Sequence, residues 1–211
     1  MARKDRFISV SATGEATMAP DLALVSFAVT GSGKELGPTR DDVLTRSSAV
    51  LARLRELGIT DADLNAPDVA VHPEYDYRRG QQLVGYRVSR HMTVRVRSLD
   101  ALGPVLDGIV AAGANEVGGA QMTASDPSVA EQAALRAAVA SARTKAEALA
   151  AEAGVTLGEI IRIEEEAAGG MVPRPRFMAA KGAIETADAS TEIAAGDLTV
   201  SRTVRAWFAI G

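Results

Sequence analysis

The sequence of 211 residues contains no cysteine. This absence excludes disulfides, thiolate metal sites, iron–sulfur clusters and thiol nucleophiles. Histidine occurs only at His72 and His91, so general acid–base catalysis has few candidate residues. No Ser–His–Asp order, P-loop motif or HExxH motif occurs in the chain. The sequence therefore predicts a protein that is not an enzyme, with no catalytic residue, cofactor or metal ligand.

The sequence also lacks an excess of positive charge and any long hydrophobic run. Its net charge is −4 and its pI about 5.3, which argues against nucleic-acid binding and adsorption to anionic membranes. No stretch approaches the roughly 18 apolar residues of a membrane-spanning helix. The first residues, MARKDRFISVSATGE, have basic side chains but no apolar core of a signal peptide. This favours a cytoplasmic location; the alternative is export, if the true start lies upstream of Met1.

Residues 8–21, ISVSATGEATMAPD, pose the question of whether Gly14 belongs to a phosphate-binding loop. Apolar and polar residues alternate over 8–13, which predicts a strand with one buried face. A phosphate loop leads from a strand into a helix, but here a second strand begins near Leu22. We therefore interpret Gly14 as a turn glycine.

Hydrophobic spacing predicts helices ending at Gly58, Gly113 and Gly154, with strands between and after them. The predicted order is β-β-α-β-β-α-β-α-β-β, an α+β protein with antiparallel or mixed sheets packed by helices. The single domain spans 1–211. A weak repeat, in which RELGIT and AEAGVT each follow a helix and VSR recurs in a later strand, suggests two related α-β-β halves, 7–98 and 99–210.

Two histidines and two carboxylates cluster around the strands predicted at 68–77 and 83–97. Apolar alternation places Tyr77 and Val84 on the core side of the hairpin, and pairing them puts His72 opposite Ser89. Both histidines then lie on one outer face. A metal site formed with Glu74 or Asp76 is one interpretation. The other is a solvated face on which Glu74 pairs with Arg87 across the strands.

Arg90 and Arg202 fall on the apolar side of their strands, between Val88 and Met92 and between Val200 and Val204. A buried guanidinium without a partner is costly, so each must reach a carboxylate, extend to solvent at a sheet margin or be shielded by a bulge. We expect these arginines to occupy equivalent places in the two halves. There they would form ion pairs across the pseudo-symmetric or subunit junction.

Two further segments are candidate contact regions. The hairpin sequence DYRRGQQLVGY places tyrosines around a basic turn. The irregular segment 167–195 is longer than most loops, and such loops are usually functional or disordered. Arg174, Arg176 and Phe177 in this segment, together with Trp207, are the candidate anchors for a partner or a neighbouring subunit.

The ordered motifs resemble the SIMPL domain family, also known as domain of unknown function 541, over residues 7–210. The resemblance rests on these residues: Val10, Gly14, Pro20, Asp21, Leu54, Gly58, Ile59, Pro73, Tyr75, Gly85, Tyr86, Gly113, Ala114 and Asn115. It implies helices against antiparallel sheets and no established enzymatic activity. Bacterial members are mostly exported, some are linked to oxidative-stress defence, and some assemble into ring- or channel-like oligomers.

Three functional hypotheses follow from the residues and the resemblance together. The first is a self-assembling, non-enzymatic, stress-related homo-oligomer. The second is a module that binds a small ligand or a protein partner through the segment 167–195. The third is a metal-dependent enzyme that uses His72, Glu74 and His91.

Overall fold

The computed structural model describes residues 6–78, 80–166, 172–173 and 196–211. All of its strand pairs within sheets are antiparallel, which confirms the predicted α+β class and the order of the main elements. The strands are β1 (Phe7–Met18), β2 (Leu22–Gly33), β3 (Leu64–Asn65), β4 (Ala70–Asp76), β5 (Gln82–Val96), β6 (Glu116–Thr123), β7 (Leu157–Glu165), β8 (Val172–Pro173) and β9 (Leu198–Ile210). The helices are α1 (Leu36–Glu56), α2 (Leu102–Ala111) and α3 (Ser128–Glu152), with short 3-10 turns at Asp61–Asp63 and Leu99–Ala101.

The described residues form two compact units. Unit 1 contains the described parts of 6–20, 124–173 and 196–211, and unit 2 contains the described parts of 21–123. The predicted halves, 7–98 and 99–210, were defined by a sequence repeat and stay a prediction. The units are defined by packing, and their bounds differ from those of the halves.

Unit 1 is a sheet in the order β1-β9-β7, with β8 paired to β9 and α3 packed on one face. The face of α3 that meets the sheet consists of alanines spaced four residues apart, so one narrow stripe is buried. Small side chains let the helix backbone approach the strands closely. The buried alanines are Ala130, Ala134, Ala138, Ala142, Ala146 and Ala150.

Gly14 lies inside β1 and is not a turn glycine, so that interpretation was wrong. A Cβ atom at this position would lie 2.2 Å from both the carbonyl oxygen of Ala134 and the backbone nitrogen of Ala138. The glycine is needed because α3 crosses β1 there, with the two backbones in near contact. Alternation predicted the strand over residues 8–13, but it gave no sign that α3 packs against Gly14.

Unit 2 is a sheet in the order β3-β5-β2-β6, with β4 also paired to β5. Helices α1 and α2 cover one face, and they approach each other at Gly108, where a Cβ would lie 2.8 Å from Leu57 Cδ1. Alternate residues of β2 and β5 point into this core. The fully buried side chains include Val25, Val29, Val43, Val50, Leu54, Val88, Val94, Val96, Leu102 and Ile109.

The predicted glycine helix ends are confirmed. Gly58, Gly113 and Gly154 have φ values of +84°, +115° and +65° and follow α1, α2 and α3. This left-handed conformation is accessible to glycine without the Cβ clash of other residues, which is why these residues stop the helices.

Candidate interaction surfaces

Most side chains of the β4–β5 hairpin are exposed, which makes it a candidate contact surface. His72 pairs with Arg87 and Asp76 with Gln82, with a register shift between Glu74 and Tyr75. The predicted register, with Tyr77 opposite Val84, was therefore wrong, and His72 is not opposite Ser89. The register is off by two residues, because Ser89 pairs with Ala70, and alternation along the sequence reveals neither the length of the turn nor the position of a bulge.

The end of this hairpin carries four exposed apolar or aromatic side chains, here called the hairpin-end patch: Tyr75, Tyr77, Leu83 and Val84. Their exposed fractions are 38%, 73%, 49% and 51%. The rings of Tyr75 and Tyr77 lie 6.4 Å apart between centroids. Grouped exposed apolar residues are typical of interaction sites, whereas isolated ones are ordinary.

The sequence pattern predicted Tyr77 and Val84 on the core side of the hairpin, and the structure corrects this. The first fully buried side chain of β5 along the chain is Val88. The helix-covered core thus reaches the inner part of β5 but not the hairpin end. An apolar face that continues past the covering helices remains in solvent, although its alternation resembles that of a core strand.

The predicted pairing of Glu74 with Arg87 is confirmed. Arg87 Nε and Nη2 lie 2.9 and 2.7 Å from Glu74 Oε1. His72 and His91 are both exposed, but His91 lies opposite Ala28 of β2 rather than beside Glu74. Among the described residues, no three histidine or acidic side chains are close enough to hold a metal ion.

An open depression of about 750 Å³ lies along β2, β5 and β6. Ala28 is flanked by its pairing partners His91 on β5 and Glu116 on β6, and Ser26 pairs with Thr93 in the next row of the sheet. The depression thus offers an imidazole, a carboxylate and hydroxyls to a polar ligand. Sequence reasoning missed it because its residues come from three strands distant in the chain.

Arg202 lies on the predicted apolar side and keeps 12% of its side chain exposed. Its Nη2 pairs with Glu131 of α3, and its Nε lies 3.6 Å from Glu165 Oε1 of β7. Arg202 therefore ties α3 to two strands within unit 1. Its proposed place at a junction between halves or subunits stays a prediction.

Arg90 finds different partners from those predicted. Its Nε and Nη2 donate to the backbone carbonyls of Pro67 and Ala66, at 2.8 and 3.0 Å. Within the described part of the chain these carbonyls, not a carboxylate, satisfy the half-buried guanidinium. The carbonyls belong to the segment just before β4, so Arg90 helps hold that segment against β5.

The remaining candidate anchors divide between described and undescribed residues. Trp207 is half-buried, and the guanidinium carbon of Arg162 lies 4.9 Å from its ring centroid, a cation–π contact. Arg174, Arg176 and Phe177 lie outside the described residues. Their role in contacts stays a prediction.

Sequence reasoning also missed an ion pair between Asp63 and Arg97, which are 34 residues apart. Arg97 Nη2 donates to Asp63 Oδ1 at 2.7 Å and Nε donates to Oδ2 at 2.9 Å, while Thr60 donates to the same carboxylate. Hydrogen bonding to Arg97 lowers the pKa of Asp63 against the opposing effect of its burial. This pair fastens the turn after α1 to the end of β5.

The family model SIMPL, described as "Protein of unknown function (DUF541)", matches residues 8–208. The chain belongs to the SIMPL family. The match confirms the resemblance deduced from the ordered motifs. Within the described residues of this family member, no helix has the length and hydrophobicity needed to cross a membrane.

Among similar proteins is the 26 kDa periplasmic immunogenic protein of Brucella melitensis biotype 1, which is 33% identical over 96% of this chain and 84% of that protein. The uncharacterized protein YggE of Edwardsiella ictaluri is 31% identical over 87% of this chain and 79% of its own length. The uncharacterized protein YggE of Escherichia coli strain K12 is 28% identical over 68% of this chain and 58% of its own length. The names of these three relatives state no enzymatic activity.

Proposed function

We propose that this SIMPL protein is non-enzymatic and works as a homo-oligomer that uses the hairpin-end patch as a subunit contact. The observation that carries the proposal is the grouping of four exposed apolar side chains at one end of a hairpin. A tyrosine that is 73% exposed offers on the order of 150 Å² of surface for burial against a neighbour. At about 25 cal/mol per Å² of apolar area, one such ring is a strong anchor for a contact.

The turn beside the hairpin-end patch is ordered by a hydrogen bond. The ring pair of Tyr75 and Tyr77 precedes Arg78, whose backbone N–H donates to Asp76 Oδ1 at 2.8 Å and so orders the start of the turn. An ordered apolar tip loses less conformational entropy on association than a flexible one. This supports the hairpin end as a contact that is largely formed before assembly.

Native mass spectrometry at physiological salt tests the proposal. We expect the wild-type chain to form a discrete oligomer and the double variant Tyr77→Ser/Leu83→Ser to shift toward smaller species. The matched control is Val129→Ser, which removes an apolar side chain that is 76% exposed on α3. A wild-type monomer at all concentrations, or a patch variant with unchanged mass, would contradict the proposal.

We also propose that the protein works outside the cytoplasm, in a stress-related role. The location is supported by the similarity to the Brucella relative, which is named a periplasmic immunogenic protein. The stress-related role is supported by the family resemblance. Fractionation of cells and survival of a deletion strain under peroxide test these two statements separately.

A second candidate function is binding of a small polar ligand in the depression beside His91. It is favoured by the donor and acceptor groups that line the depression on three strands. Screening by ligand-induced thermal shift, with Thr93→Val as the variant and Ser32→Ala on β2 as the control, tests it. Binding through the segment 167–195 remains a separate alternative, and those residues lie mainly outside the described part of the chain.

A further inference from the structure

Among the described residues of unit 1, part of one sheet face beside α3 is exposed. The helix lies over β1 and β9: Lys145 Nζ donates to the carbonyl of Ser11 at 3.0 Å, and Arg143 lies over the ring of Phe208. On β7, Ile163 pairs with Ala206, so both side chains share the face that α3 packs on. Ala206 is fully buried, but Ile163 is 46% exposed.

Unit 2 shows a different arrangement on its own sheet. There two helices, α1 and α2, pack side by side and cover the face together. In unit 1, α3 alone covers the corresponding face among the described residues. The face of β7 beside α3 is therefore only partly covered by the described residues.

A shallow, mostly apolar depression of about 430 Å³, here called the groove, lies on the surface of α3 and is lined by residues of this helix. Leu135 and Val139, one turn apart, belong to its lining and also pack against the core of unit 1. Ala140 keeps the groove open because it has no side chain beyond Cβ. Arg136 and Arg143 stand at its two ends, two helical turns or about 10.5 Å apart.

The charge of this groove is not balanced within the described residues. Neither Arg136 nor Arg143 has a carboxylate partner there, whereas Arg202 on the same sheet has two. The guanidinium of Arg143 instead lies 5.9 Å from the centroid of Phe208. Two arginines that bracket an apolar groove complement an occupant with an apolar stripe and two negative charges.

We propose that this groove binds an amphipathic acidic helix of a partner protein. Its apolar stripe packs on Leu135 and Val139, and carboxylates two turns apart pair with Arg136 and Arg143. Residues i and i+7 of a helix lie on one face, so their separation matches the spacing of the two arginines. This proposal is independent of the hairpin-end patch, which belongs to the other unit.

The test uses the full chain and two labelled helical peptides of 18 residues. One has leucines at i, i+3, i+4 and i+7 with glutamates flanking the stripe two turns apart, and the other has lysines in place of those glutamates. Fluorescence anisotropy measures the Kd of each peptide at low and at physiological salt. We expect the acidic peptide to bind, the basic peptide to bind at least about tenfold more weakly, and salt to weaken the acidic complex.

The decisive variant is Arg136→Glu/Arg143→Glu, with Lys34→Glu/Arg95→Glu as the control. Both double variants change the net charge by the same amount, and all four side chains are exposed. We expect about a tenfold or greater loss of acidic-peptide affinity in the first variant only. Equal binding of both peptides, absence of binding, or equal loss in the two variants overturns the proposal. A native mass that falls only in the first variant also overturns it, because a second copy would then be the occupant.

Discussion

Replacing Gly14 by alanine should separate α3 from β1. The added Cβ would lie 2.2 Å from Ala134 O and Ala138 N and 2.7 Å from the carbonyl carbon of Ala137. An ordinary contact begins near 3.4 Å, so helix and strand must part by about 1.2 Å locally. The obstructing atoms are backbone atoms, and no side-chain rotation relieves them.

The expected loss follows from the packing that this separation removes. A gap of about 0.5–1 Å already forfeits a quarter to a half of the dispersion energy of the facing atoms. Overpacking typically costs about 1–3 kcal/mol, and the loss of unfolded-state entropy returns about 0.4–1 kcal/mol. Since backbone atoms block the Cβ, we expect the upper end of the overpacking cost and a net loss of about 2 kcal/mol in the free energy of unfolding of unit 1.

Urea unfolding followed by the fluorescence of Trp207 measures this effect, because Trp207 is the single tryptophan and belongs to β9. The control is Gly119→Ala on β6, where a Cβ meets no atom within 4 Å. Circular dichroism follows both variants. If the Gly14→Ala transition has the wild-type midpoint and slope, the close crossing of helix and strand is not as described.

Three further predictions test individual contacts. Asp63→Asn should lower the free energy of unfolding at neutral pH, since a charge-assisted pair with Arg97 is lost, and the loss should be small because the exposed Arg97 is screened by solvent. The folded pKa of Asp63 is below its ordinary value near 3.8, so the stabilisation is complete above that value and falls as the pH drops toward the folded pKa. The free energy of unfolding should therefore depend less steeply on acid pH in Asp63→Asn than in the wild type. An unchanged dependence would refute the pairing. Arg202→Met should destabilise unit 1 by about 1–3 kcal/mol, because Glu131 and Glu165 lose a shared cation, and a neutral or stabilising result would show that the pair is dispensable. Arg162→Ala should shift the Trp207 emission and cost about 0.5–1 kcal/mol, whereas Arg53→Ala, on α1 of the other unit, should leave the emission unchanged.

Local sequence patterns predicted some of the side-chain contacts at the candidate sites and missed others. The pairing of Glu74 with Arg87 was predicted even though the register was wrong, because a long arginine also reaches a diagonal neighbour. The position of Arg202 on the apolar side of its strand was predicted from its flanking valines. Carboxylate partners were also predicted, but the sequence did not identify them as Glu131 and Glu165. Arg90 has the same local pattern, yet it donates to carbonyls of a segment whose position local periodicity does not describe.

The sequence by itself determined the family, the α+β class, the order of the main elements and the helix ends at Gly58, Gly113 and Gly154. These features depend on periodicity and backbone freedom within a few residues, so they are encoded locally. Only the tertiary structure decided the bulge in the hairpin, the exposure of its end, the crossing at Gly14 and the groove beside α3. Those depend on which distant segments meet, as in the pairing of Glu131 with Arg202 across 71 residues. A strand's alternation shows that it has an apolar face but not whether a helix, a partner or solvent covers that face.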